Sequence, residues 1–127
     1  MIQKDVEERL RRLGFRKDKL GYIVYKTFGL YYMPMKRWVI EEDSYITHGR
    51  PNRNEQAECG CGINFATRGW VNNEVCTWGY HFPRQDKELW RCRIRFEDLD
   101  KVVVPDGSDG KARCGRLELL KVVKRYK

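Results

Sequence analysis

Ile2, Val6, Leu10 and Leu13 recur at steps of four, four and three, so they share one stripe of a helix while Glu7, Glu8, Arg9, Arg11 and Arg12 face away. The spacing predicts a helix over residues 2–13, closed by Gly14. The period then changes. After Gly21 the run YIVYKTF is rich in β-branched and aromatic residues, and KRWVIEE repeats that pattern beyond an interruption at residues 29–34; both read as strands. Residues 48–58, HGRPNRNEQAE, have no apolar run and read as a loop that carries Arg50 and Arg53 into solvent.

In ECGCGINFATRGW, residues 58–70, glycines around two cysteines predict a sharp turn into a buried strand at Ile63 and Phe65, with Thr67 capping a short helix through Trp70 and Val71. CTWGYHFPRQDKE is irregular, with room for one short strand. ELWRCRIRF is the clearest element: Trp90, Cys92, Ile94 and Phe96 fall on one face of a strand, and Arg91, Arg93 and Arg95 on the other. KVVVP and RLELLKVV read as two more strands around the turn DGSDG, the last with Leu117, Leu119 and Val123 inward. The whole is an α+β single domain over residues 1–127: a helix at 2–13, then a mainly antiparallel, twisted sheet over 21–126.

Composition narrows the class. The 127 residues are 41% hydrophobic and 13% aromatic, which suits one folded core and excludes a disordered chain. Twenty-six basic residues against 18 acidic ones give a formal charge of +8, favouring anionic partners. No leader and no long apolar run is read, so the chain is expected to be soluble and cytoplasmic (in a host cell, if viral), without a membrane partner, as a monomer or small oligomer. Five cysteines are an odd number, and a disulfide scaffold is not expected.

Cys59, Cys61, Cys76 and His81 raise zinc, whose usual ligands they are. Yet one residue between Cys59 and Cys61 makes a poorer chelate than the usual two to four, so no metal and no cofactor is assigned. A cysteine nucleophile needs an imidazole beside it, and only His48 and His81 offer one. No phosphate-cradling glycine loop or nucleophile elbow is present. Glu97, Asp98 and Asp100 sit in a turn-like stretch and receive no catalytic role.

The cations carry more. Arginines two apart on a strand stand about 6.6 Å from one another, so Arg91, Arg93 and Arg95 form a row suited to forked contacts with phosphate. A solvated face, or an edge guarded by charge, is the plain alternative. Aromatic residues lie close in sequence to further cations: Trp70 beside Arg68, and Trp78, Tyr80 and Phe82 ahead of Arg84. Lys111, Arg113 and Arg116 are read as loop-borne cations that converge on an anion.

ECGCGINF and the run after it resemble the short pattern of cysteine, glycine, isoleucine or leucine, histidine and an aromatic or aliphatic residue in small phage-encoded domains. Among these are C-terminal domains of viral pentapeptide-repeat proteins. WRCRI, VVVP and DGKARCGRLELLKVV are similar to their closing strands, and the likeness spans residues 58–123, with Asn64 where the pattern favours histidine. The same pattern resembles phage anti-defence proteins that sequester cyclic nucleotide signals, which implies a nucleotide sponge. Their binding arginines lie on a helical C-terminal region, whereas here the C-terminal arginines read as strand or turn, so no binding residue carries over.

The expectation is a non-catalytic binding module, of viral origin if the resemblance holds, for a nucleotide or single-stranded nucleic acid. Its contacts would be Arg68, Trp78, Arg91, Arg93, Arg95, Lys111, Arg113 and Arg116. Two alternatives stand beside it: an assembly factor that binds protein, and a small nucleotide-degrading enzyme using Cys59, Cys61, Cys76 or His81.

Overall fold

The computed structural model describes residues 3–29, 38–48, 51, 53, 62–77 and 86–125. Side chains at 3, 4, 29, 73–77, 86 and 87 lie outside that description.

The helical stripe read from the sequence folds as expected into α1 (Gln3–Arg12). Val6 and Leu10 are fully buried and Leu13 packs on the same core, while the charged residues face outward. Burial of each of the two contributes about 1.5–3 kcal/mol to holding α1 on the sheet. Ile2 lies outside the described residues.

The strands are β1 (Arg16–Lys17), β2 (Gly21–Gly29), β3 (Ser44–Thr47), β4 (Ile63–Ala66), β5 (Asp86–Arg95), β6 (Lys111–Cys114) and β7 (Arg116–Arg125). They form one seven-stranded sheet in the order β3-β7-β5-β2-β4-β6, with β1 beside the start of β2. Every pairing among them is antiparallel, as expected. One face meets α1: Tyr22, Val24, Phe28, Ile46, Ile63, Phe65, Trp90, Cys92, Ile94, Leu117 and Leu119 are buried in a single apolar core with Val6 and Leu10. The other face carries α2 (Arg68–Thr77), whose Val71 and Trp70 pack with Ala66, Leu89, Tyr25 and Val123.

The turn into a buried strand at Gly62 is as read. Gly62 has φ 137, a left-handed conformation that side chains disfavour, and Ile63 and Phe65 follow it at 0% and 2% exposure. Cys59 and Cys61 lie outside the described residues. Thr67 caps α2 by accepting a hydrogen bond from the Trp70 amide at 3.1 Å. The helix then runs past Val71 to Thr77, longer than Gly69 had suggested.

Three readings need correction. Residues 38–42 of KRWVIEE are not strand. They fold back, with the Ser44 hydroxyl bonded to the Val39 and Glu41 carbonyls and Trp38 Nε1 donating to the Thr47 carbonyl; the strand here is β3. KVVVP makes only an isolated antiparallel bridge, Val103 to Arg113 beside β6, and Val102, Val103, Val104 and Pro105 are all buried. Val123 turns away from Leu117 and Leu119 because register shifts between β5 and β7 reverse the alternation, placing Val123 under α2 and Val122 against the main core.

Candidate functional site

The alternation of β5 places Arg91, Arg93 and Arg95 together on the face that carries α2, as the sequence pattern requires. They do not form an open row. Arg93 Nε donates to Glu118 Oε1 at 2.8 Å and its Nη1 to Asp18 Oδ2 at 2.7 Å. Arg95 grips both oxygens of Glu118, at 2.8 and 3.0 Å. Glu118 comes to this position because it is the direct cross-strand partner of Arg93. Asp18 sits in the turn between β1 and β2 and accepts the amides of Leu20 and Gly21 as well. Burial works against ionisation of Glu118, but the hydrogen bonds from Arg95 and Arg93 outweigh it and hold the carboxyl below its ordinary range. Those same bonds raise the guanidinium pKa of each arginine. Arg93 and Arg95 are thus internal ion-pair partners, and the expectation of three outward cations fails for two of them.

Arg91 is different. Half-buried, it has no carboxylate partner among the described residues, and its Nε is buried without a hydrogen-bond acceptor. Its cross-strand neighbours are Tyr25 on β2 and the exposed Lys121 on β7. Directly opposed residues share a face, so Lys121, Arg91 and Tyr25 make a line across three strands. The first residue of α2, Arg68, extends it: the guanidinium lies 5.8 Å from the centre of the Tyr25 ring.

Two more cations on this face also sit over rings. Lys111 Nζ is 5.9 Å from the centre of the Trp70 ring, and the Trp70 indole N–H is fixed by Asp109 at 2.9 Å. At the other side of the sheet the Arg116 guanidinium stacks 4.0 Å from the Tyr45 ring, with Asp98 at 3.8 Å. Tyr45, 37% exposed, belongs to this face because it pairs with Glu118.

The structure therefore keeps Arg68, Arg91, Lys111 and Arg116 on one surface but does not gather Lys111, Arg113 and Arg116 into a loop. Lys111 and Arg113 are strand residues of β6, and Arg113 is 0% exposed and engaged within the protein, which removes it from any external ligand. Trp78 lies outside the described residues. Tyr25, Tyr45 and Lys121 were missed. Alternation within YIVYKTF would have set Tyr25 opposite Val24, but only the tertiary pairing brings Tyr45 and Lys121 to the same face.

The remaining chemistry is sparse. Among the described residues, no group of three histidine, cysteine, aspartate or glutamate side chains could hold a metal ion. Cys59, Cys61 and His81 lie outside the described residues, and Cys76 is described only as backbone of α2. Cys92 and Cys114 are fully buried, and desolvation pushes the Cys114 thiol up to about 12 and the Cys92 thiol higher still. Neither is a nucleophile in this state. A cleft of about 340 Å³ between α1 and residues 104–108 contains Arg9 and Arg12. Arg9 is held there by the Val104 carbonyl and Asp106, and Arg12 by Glu8. No helix among the described residues is long and apolar enough to cross a membrane.

Comparison with known proteins gives no likeness to argue from: no family model, no curated protein and no solved structure matches this chain.

Proposed function

We propose that the protein is a non-catalytic module that binds a phosphate-bearing ligand, a nucleotide or single-stranded nucleic acid, on the sheet face beside α2. The observation that carries this is Arg91: alone of the three arginines of β5 it lacks a carboxylate partner among the described residues, with Lys121 beside it on β7 and, on its other side, Tyr25 with Arg68 over its ring. Cations without internal neutralisation attract phosphate, and a half-buried guanidinium offers it a fixed, forked donor. The rings beside them supply stacking surface for bases. The formal charge of +8 adds long-range attraction. A viral source, which the resemblance to phage-encoded domains implies, belongs to the same proposal.

Fluorescence anisotropy with a labelled oligonucleotide, repeated over a range of salt, tests it. For single strands the slope of log affinity against log salt is about −0.7 for every phosphate that the protein neutralises. Joint replacement of Arg91 and Lys121 by glutamine is expected to flatten it by about 1.4. Wild-type affinity and slope in that variant would dismiss the site.

A second reading rests on β7. Beyond Leu119 it pairs with β5 alone among the described residues, leaving residues 120–125 as a sheet edge that an extended segment of a partner protein could join. Stoichiometric capture of a protein partner, with no affinity for oligonucleotides at low salt, would favour this reading.

A further inference from the structure

We infer that the ligand of this face is a single strand of several nucleotides, laid across the sheet and read by stacking without regard to sequence. This rests on the phosphate-binding reading above and goes further by excluding a mononucleotide and a duplex. The geometry is a series of three cation–ring pairs on one face: Arg116 on Tyr45 at β3 and β7, Arg68 on Tyr25 at β2, and Lys111 on Trp70 at β6. Lys121 and Arg91 fill the interval between the first two. From β3 to β6 the sheet order counts five inter-strand steps, a path of about 24 Å along the surface.

A mononucleotide engages one such pair and leaves the others idle. Small ligands bind tightly where a pocket encloses most of their surface, and among the described residues the cations and rings of this face are instead strung out across several strands beside α2. Affinity here must come from several contacts made in series by one molecule, which is the property of a polymer. A duplex supplies phosphates but keeps its bases paired and stacked on one another. The rings of Tyr25 and Trp70 are half-buried and lie close to the protein surface, so they meet only bases already free of a partner. Among the described residues the face also lacks the groove-entering helix that duplex readers use: α2 is packed onto the sheet through Val71 and Trp70.

The test compares labelled adenosine monophosphate, a thymidine dinucleotide, a thymidine octanucleotide and a blunt duplex of the same length by anisotropy at one low salt concentration. The octanucleotide is expected to bind more tightly than the dinucleotide by roughly tenfold or more for each further ring engaged, and more tightly than the duplex. Tyr45→Ala and Lys111→Gln, at opposite ends of the path, should each weaken the octanucleotide by a larger factor than they weaken the dinucleotide, with thermal melts showing that both variants are folded. Equal affinity for the monophosphate and the octanucleotide, or a preference for the duplex, would overturn the single-strand inference while leaving a phosphate site in place. Failure of all four probes to bind would remove the phosphate reading and this inference together.

Discussion

Glu118 shows how one side chain changes the meaning of a sequence pattern. At 7% exposure it would be costly as a lone charge, and two guanidinium groups compensate it. Breaking a buried pair costs about 3–5 kcal/mol; because Arg93 and Arg95 retain some access to water, Glu118→Gln is expected to cost nearer to about 2 kcal/mol at neutral pH. The pH dependence follows from the direction of the shift. A carboxyl held below its ordinary range contributes stability that is complete above the unfolded-state pKa and is lost as pH falls through the folded one. Asp18 is also held low and behaves likewise: burial opposes its charge, but the Leu20 and Gly21 amides and Arg93 prevail. Asp98 works in the other sense, since burial raises its pKa and its protonation favours the fold in acid. Urea melts across pH are therefore expected to show the gap between wild type and Glu118→Gln closing in the acid range. A gap of constant size down to low pH would mean that the ion pairs are not its source.

Among elements, the pairing of β2 with β5 sets the whole surface, because it places Tyr25 against Arg91 and Ile23 against Arg93. That register depends on Gly21, which faces Arg95 so closely that an added Cβ would lie 2.0 Å from the Ile94 carbonyl oxygen and 2.7 Å from its carbon. Backbone cannot swing aside as a flexible side chain does, so Gly21→Ala is expected to cost about 2–4 kcal/mol. Denaturant melts measure the loss. Faster amide exchange localised to β2 and β5 would show that this pairing has loosened, whereas a melt like that of wild type would mean that the strands part without cost. The register shifts between β5 and β7 are the second element-level decision. Through them Lys121 faces Arg91 and Val123 reaches α2, neither of which follows from simple alternation along RLELLKVV.

At the scale of the molecule, the described residues form one antiparallel sheet between two unlike coverings, α1 over a broad apolar face and α2 over part of a charged one. Cys92 and Cys114 belong to the first face and are sealed in the core, each at 0% exposure. They report on global opening only. Iodoacetamide labelling followed by peptide mapping is expected to leave both unmodified in native buffer and to modify them at the rate of complete unfolding. Labelling of either thiol under native conditions would reveal a local opening of β5 or β6 and would contradict a single cooperative core.

Local periods are what the order of residues settles unaided. A stripe of Val6, Leu10 and Leu13 is helical wherever it packs, and Trp90, Cys92 and Ile94 cannot share a face without Arg91, Arg93 and Arg95 sharing the other. Which of those arginines lacks a carboxylate partner among the described residues was left to the folded chain, because Asp18 and Glu118 lie far along the sequence and reach Arg93 and Arg95 only through the pairing of the strands beside them. Folding likewise buried Arg113 and set Tyr25, Tyr45 and Lys121 on the same sheet face as Arg91. The physical reason is one of range: side-chain direction follows from backbone period within a few residues, whereas the neutralisation of a charge depends on whatever the fold brings within a few ångströms of it.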